Sequence, residues 1–260
     1  MNKDLLVYSL DRASSAGVKQ IGGKALSLAK LIRAGFAVPP GFVVTTKAYQ
    51  LFNGKALGKE LEQQLLAAFD ELGAQQVAVR SSAVAEDSSG ASWAGQFETY
   101  LNVERGELLQ RVQDCWHSAK SQRVNAYAAQ QSVATNRAVA VVVQTMVASE
   151  IAGVMFTCNP VDQNRQEIII EAVQGLGESL VQGTVTPDHV RLNKRTKRVV
   201  EQYLSQDQPL LDPKQLEELA HLATSIESLY DQPMDIEWAY AADKLYVLQA
   251  RPITTLDEGH

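Results

Sequence analysis

Positive charge is scarce in this chain. Its 24 Lys and Arg residues stand against 30 Asp and Glu, a net charge of −6. Without a cationic excess it cannot neutralise phosphates along a nucleic-acid backbone, which excludes nucleic acid as the main partner. A local anion site needs only two or three cations and stays open. Cysteine is nearly absent: Cys115 and Cys158 are the only two. They make neither a disulfide framework nor a metal-ligand spacing, and read as two reduced thiols. No segment approaches the ~20 apolar residues of a membrane span. The first residues, Met1 to Ala13, carry no apolar run of the kind that makes a signal peptide. These absences lead us to expect a cytoplasmic protein with no membrane partner.

What is present is an ordinary globular composition, 45% apolar and 21% charged over 260 residues, enough for one large domain or two lobes. The pattern is of strands and helices without regular βαβ alternation, an α+β class with mainly antiparallel sheets. Helical spacing follows Ile21-Gly22-Gly23-Lys24 and covers Lys59 to Leu72 and about Gly106 to Gln131. Ala138 to Met146 is a near-continuous apolar run, as for a strand buried on both faces. Asp188 to Asn193 and Val199 to Tyr203 read as a hairpin. Asp212-Pro213-Lys214-Gln215 has the Asp N-cap, N1 proline and N3 glutamine of a helix start. Two closing strands, Asp235 to Tyr240 and Lys244 to Gln249, turn at Ala241-Ala242-Asp243.

Two stretches carry chemistry. Around Val77 to Leu101 a strand ends in Arg80, a fixed cation suited to phosphate, and opens into a loop of small residues from Ser88 to Gly95. Small side chains let backbone N–H groups approach an anion. Trp93 within that loop either covers the site or packs on a sheet. In the second stretch, Asp235 and Glu237 are two apart and share one face of a strand, as do Gln249 and Arg251 on its partner. Four polar side chains facing one way suit Mg²⁺ with phosphate; a plain surface ion pair, Glu237 to Arg251, is the bland alternative. Lys24 follows two glycines at a helix start, where a cation is mildly unfavourable unless an anion binds there. His189 reads as a turn histidine ahead of a strand rather than a phosphoacceptor.

The order of seven blocks resembles the nucleotide-binding domain of the phosphoenolpyruvate synthase and pyruvate phosphate dikinase family, shared with rifampicin phosphotransferases. The blocks are Gly22-Gly23-Lys24; Val38-Pro39-Pro40-Gly41-Phe42; Val79-Arg80-Ser81-Ser82-Ala83 with Glu86-Asp87; Ala94-Gly95-Gln96-Phe97-Glu98-Thr99; Gly153-Val154-Met155-Phe156-Thr157; Gly175-Leu176-Gly177-Glu178; and Asp235-Ile236-Glu237-Trp238 with Gln249-Ala250-Arg251-Pro252. The resemblance implies an ATP-grasp fold, two lobes with ATP between them, here residues 1–145 and 146–260. It implies that Lys24, Arg80 and Arg251 hold the charge that moves. ATP would be bound by these three with Ser92, Ala94, Gly95, Glu237 and Gln249, by the backbone of Gln144, Met146 and Val147 at the adenine edge, and by Glu171 or Glu178 near ribose or adenine. Glu178 reads equally well as a helix N-terminal acid. Asp235, Glu237 and Gln249 would hold Mg²⁺. The implied activity is phosphoryl or pyrophosphoryl transfer to a histidine. None of His117, His189, His221 and His260 lies in the Thr- and Ser-rich Gly-Gly context of the family's phospho-histidine. A separate histidine-bearing domain or subunit is therefore the expected partner. A regulatory nucleotide-binding module without turnover, or a kinase of a small acceptor, are the alternatives. The stretches Phe52 to Gln76 and Tyr203 to Leu211 look short for this domain.

Overall fold

A computed structural model describes residues 5–84, 98–128 and 138–253. The chain divides into two units, Met1–Gly35 with Pro39–Met146, and Phe36–Val38 with Val147–His260. Both are α+β and built on antiparallel sheets, the class expected from the sequence. The loop from Ser88 to Gly95, with Ser92, Trp93, Ala94 and Gly95, lies outside the described residues, as do Glu86, Asp87 and His260.

The first unit holds strands β1 (Val7–Ser9), β2 (Gly41–Val44), β3 (Val77–Ala83), β4 (Thr99–Val103) and β5 (Val139–Thr145), in spatial order β1-β2-β5-β3-β4. The apolar run becomes the central strand β5, buried from Val139 through Gln144. Its helices are α1 (Val18–Arg33), α2 (Thr46–Leu51), α3 (Lys59–Leu72) and α4 (Leu108–Ala128). Val77, Val79, Val139, Val141 and Val143 pack with Leu61, Leu65 and Phe69 of α3 and with Leu108, Val112 and Trp116 of α4 in one buried cluster. The Trp116 indole N–H donates to the Val139 carbonyl at 3.2 Å, so its one polar atom is satisfied inside that cluster.

Alternation along β3 sends Ser82 to the opposite face, where α1 lies. Here the expected helix start proves to be a break. The helix begins at Val18, but Gly22 has φ +75°, outside helical space. An unbroken helix would join the Ala25 N–H to the Ile21 carbonyl. Instead the Ser82 hydroxyl stands between them, donating to Ile21 O at 2.9 Å and accepting from Ala25 N at 3.2 Å. A Cβ on Gly22 would collide with the Ser82 carbonyl and hydroxyl. Glycine is required both for the positive φ and for the close approach.

The second unit holds β6 (Ile151–Phe156), β7 (Glu167–Gln174), β8 (Asp188–Asn193), β9 (Val199–Tyr203), β10 (Met234–Ala241) and β11 (Lys244–Pro252), in order β11-β10-β6-β7-β8-β9. It also has the short helix α5 (Glu178–Val181) and the long helix α6 (Pro213–Tyr230). The start of α6 carries the full capping box: Gln215 N donates to the Asp212 side chain, and the Asp212 N–H to the Gln215 amide oxygen. Leu216, Leu219, Ala220, Ala223 and Ile226 of α6 are buried, as are Met234, Ile236, Trp238, Met155, Ile168, Ile170, Val190 and Leu192 of the sheet. These strand residues alternate with a half-exposed set on the other face. The short stretch after Tyr203 is tied down by the buried Asp188 carboxylate, which accepts from Ser205 N, Ser205 Oγ and Leu210 N at 2.8, 2.8 and 2.9 Å. The three residues Phe36–Val38 join this unit because the Val247 N–H of β11 donates to the Ala37 carbonyl at 2.9 Å.

The Ser82 bridge gives the first prediction. Ser82→Ala leaves the buried Ile21 carbonyl and Ala25 N–H without the hydroxyl they share. The loss is expected to be about 1–3 kcal/mol, the cost of stranding buried polar groups. Urea unfolding of the variant checks this; an unchanged midpoint would mean that α1 simply closes its own ladder.

Candidate functional site

The break at Gly22 sets where Lys24 stands. The lysine opens the continuing part of α1, and its ammonium donates to the Ser81 carbonyl at 3.0 Å, one residue beyond Arg80. Arg80 lies on the α1 face of β3, paired across the sheet with Thr99 and Val142. The two predicted phosphate cations of this unit are therefore neighbours on one sheet face, half-buried in both cases. Gln144 is buried, and its side-chain amide donates to the Pro39 carbonyl at 3.1 Å. Its side chain serves the core, and its backbone lies within the sheet, paired with Gly41 of β2 and Ala78 of β3. The Met146 N–H donates to Gln76 O, and the Val147 carbonyl accepts from Ser149 N.

The second unit gathers the other candidates on the sheet face opposite the buried strand residues. Asp235 pairs with Arg251 and Glu237 with Gln249 across the closing hairpin. Asp235 takes an ion pair with Arg251, whose Nε donates to Asp235 Oδ2 at 3.0 Å. A bulge explains why Gln249 and Arg251 reach this face. Ala242 and Asp243 form a two-residue turn, both at positive φ. Counted from that turn, Trp238 faces Val247, and Glu237 would face Leu248. The register slips there by one, so Leu248 bulges out and Gln249 takes its place opposite Glu237. Without the slip, Gln249 and Arg251 would point into the buried layer with Ile236 and Met234. The parity of the count to Gln249 was the available signal in the sequence.

Asp235 is mostly buried, and burial raises its pKa above the ordinary carboxylate value; Arg251 opposes the shift and Glu237 adds to it. A desolvated carboxylate beside a second carboxylate and an amide oxygen is a hard-oxygen donor set. It suits Mg²⁺, which takes one or two protein carboxylates and completes its shell with phosphate and water. Among the described residues no group of three or more His, Cys, Asp and Glu gathers as a metal cluster, so phosphate oxygens would have to complete any shell here.

The remaining candidates sort cleanly. Glu178 is the first residue of α5, exposed, and accepts from Gln182. Glu171 lies on the sheet face within β7, with His189 Nδ1 at 3.4 Å. His189 is the second residue of β8, within the strand rather than ahead of it. His117 and His221 are exposed on helices. Cys115 is fully buried and its thiol is pushed up to about 12, chiefly by desolvation, which rules out a thiolate nucleophile at neutral pH. No helix among the described residues is long and apolar enough to cross a membrane.

Residues 50–210 and 204–260 match the family model described as pyruvate phosphate dikinase, AMP/ATP-binding domain. A protein named as a probable phosphoenolpyruvate synthase of Methanocaldococcus jannaschii is 36% identical over 317 aligned positions, covering 96% of this chain and 27% of the relative. The prodigiosin synthesizing transferase PigC of Serratia marcescens is 35% identical, covering 96% and 33%. The chain thus spans a third or less of the length of these relatives. The alignment to the first runs longer than the 260 residues available, so that relative carries extra residues within the shared region. Among solved structures, a dinucleotide-forming acetyl-coenzyme A synthetase of Ca. Korarchaeum cryptofilum superposes with a TM-score of 0.49 at 11% identity, covering 93% of this chain and 96% of that one.

Burial of Asp235 yields a stability prediction whose sign follows from its shift. A carboxyl whose pKa is raised on folding stabilises the protein below the unfolded pKa, near 4, and loses that contribution as pH rises through the folded value. At pH 7 the ionised group is a net cost. Asp235→Asn should therefore melt higher than the parent at pH 7 without metal, with the difference shrinking towards pH 4. Thermal scans at the two pH values test this; a lower melting temperature at pH 7 would show that the Arg251 pair outweighs burial.

Proposed function

Because the chain belongs to the pyruvate phosphate dikinase AMP/ATP-binding domain family, with the α+β ATP-grasp class of fold, we propose that it binds Mg–ATP and passes a phosphoryl or pyrophosphoryl group to a histidine on another domain or chain. The observation that carries this reading is the closing hairpin, where Asp235 with Arg251 and Glu237 with Gln249 stand as cross-strand pairs on one face.

Each unit supplies its own share of charge. Lys24 and Arg80 offer an ammonium and a guanidinium fork to phosphate oxygens. The helix segment that restarts after Gly22 adds its positive end to Lys24. Arg251 provides the third cation and Gln249 an amide that can donate to phosphate. Asp235, Glu237 and Gln249 would hold Mg²⁺, which when bound neutralises charge on the phosphate oxygens. Transfer is an in-line displacement. An imidazole nitrogen attacks phosphorus and the P–O bond to the leaving nucleotide breaks, releasing ADP for a phosphoryl group or AMP for a pyrophosphoryl group. The protein's part is positioning and charge neutralisation rather than covalent chemistry of its own. The small residues Ser92, Ala94 and Gly95 would give backbone N–H groups to the same phosphates, and the backbone of Met146 and Val147 would meet the adenine edge. The direct assay is incubation with ATP and a purified histidine-bearing domain from a phosphoenolpyruvate synthase, following AMP, ADP and phosphate on the histidine.

Two outcomes are expected of the chain alone. Millimolar Mg–ATP should raise the melting temperature, since a ligand that binds only the native state stabilises it by mass action, and ADP without metal should do less. Glu237→Ala should fold normally and bind Mg–ATP at least tenfold more weakly, the value of one contact to a charged group. Calorimetry giving equal affinities for variant and parent would remove the hairpin from the site.

A further inference from the structure

The six-stranded sheet ends on one side at β9, and among the described residues no strand lies beyond it. The stretch that follows is held back on Asp188 of β8, through Ser205 and Leu210. Apolar side chains crowd the edge this leaves. Of the nine large apolar residues exposed among the described residues, four fall within six consecutive positions: Val199, Val200, Tyr203 and Leu204. Scattered singly, such residues need no explanation; gathered at one edge they mark a surface that another chain covers. They lie on both faces of the sheet. Val199 stands opposite Leu192 of the buried layer. Tyr203 stands opposite His189, on the face that carries Glu237, and Val200 is the extra residue where the ladder to β8 slips. A partner laid against one face would leave the other uncovered. A strand added to the edge covers both and takes up the unpaired backbone groups as well.

The added strand has to fit an edge whose charge is divided. Arg195 and Arg198 precede β9 and are both exposed. Lys194 and Lys197 of the same turn are tied down, the first to Glu227 and the second to the Lys194 carbonyl. The exposed Asp207 follows the strand. Within β9 the one charge is Glu201, already engaged by Arg191 at 2.8 Å. The complementary strand is therefore apolar, runs antiparallel, brings acid to the basic turn and brings cations towards Asp207. A second copy of β9 has that composition. A parallel copy would set the two basic turns side by side.

Counting along the strand gives the register. A two-fold axis at Gln202 sets that residue opposite itself, Glu201 opposite Tyr203 of the second copy, and Val200 opposite its Leu204. The two Glu201 carboxylates then do not face each other, and each basic turn points to the Asp207 end of the other copy. Such a contact is isologous, one patch used twice. The closing hairpin of β10 and β11 lies at the far edge of each sheet, clear of the contact.

We propose that two copies of this chain associate through β9, paired antiparallel about a two-fold axis at Gln202, so that their six-stranded sheets join into one. Sedimentation velocity of the full chain over a concentration series should show a monomer–dimer equilibrium. Val200→Glu should weaken dimerisation at least about tenfold, because it sets a charge against Leu204 at both symmetric positions. Arg195→Glu with Arg198→Glu should weaken it too. Adding Asp207→Lys to that variant should restore it, a rescue that a folding defect would not give. Cross-linking reads the register. Paired residues of an antiparallel ladder have Cα atoms about 4.5–5.5 Å apart, within the span of a disulfide. Gln202→Cys should therefore give a disulfide-linked dimer on mild oxidation. Val199→Cys, about 20 Å from its own copy in this register, should not. The native Cys115 and Cys158 are buried and form no such link. A chain that stays monomeric at every concentration, with Gln202→Cys not cross-linked, would overturn the proposal. A dimer that survives Val200→Glu unchanged, or that cross-links equally from Val199→Cys, would overturn it as well.

Discussion

The hydroxyl of Ser82 is the point on which the first unit turns. It fills the gap in α1 left by Gly22, giving one bond to Ile21 and taking one from Ala25. A break in a buried helix would otherwise strand two polar groups. With the bridge in place the chain can bend over the end of β3, bring Lys24 onto the Ser81 carbonyl and keep it on the face that carries Arg80. Placement of Lys24 thus depends on a hydroxyl that bonds to the residues on either side of the break, while the pairing of β3 places Arg80.

The second unit solves the same problem with backbone register. A single extra residue, Leu248, turns β11 so that Gln249 and Arg251 face Glu237 and Asp235 instead of the buried layer. In both units a local departure from regular structure, a helix break or a bulge, aims polar side chains out of an apolar framework. The framework itself is conventional: alternate burial on the strands and an amphipathic, well-capped helix.

Much of this was legible in the sequence. The run from Ala138 to Met146 named the central strand because only a strand covered on both faces can be apolar without alternation. Asp212-Pro213-Lys214-Gln215 announced α6 through the chemistry of its own side chains. The hairpins at β8–β9 and β10–β11 were visible because their turns and alternation are local. The break at Gly22 was hidden because it depends on Ser82, sixty residues away. The attachment of Phe36–Val38 to the second unit was hidden for a similar reason: it rests on a backbone bond from Val247. His189 looked like a turn residue because Thr-Pro-Asp before it signals a turn, whereas the strand had already begun at Asp188. The row that joins it to Glu237 through Val154 and Glu171 exists only in the pairing of β10, β6, β7 and β8, which no single stretch records.

The bond from Val247 to Ala37 has a colloidal side as well. Edge strands expose backbone groups that can recruit another chain, and proteins blunt them with bulges or cover them. At β11 both devices are present, the bulge at Leu248 and the strap at Ala37. The opposite edge, β9, has Val199, Val200 and Tyr203 all exposed, with the basic turn of Arg195 and Arg198 leading into it. The sheet is therefore defended unequally. Of this sheet's two edges β9 is the more open to pairing with another chain, and charge repulsion from that turn, weakened by salt, is the defence in view there.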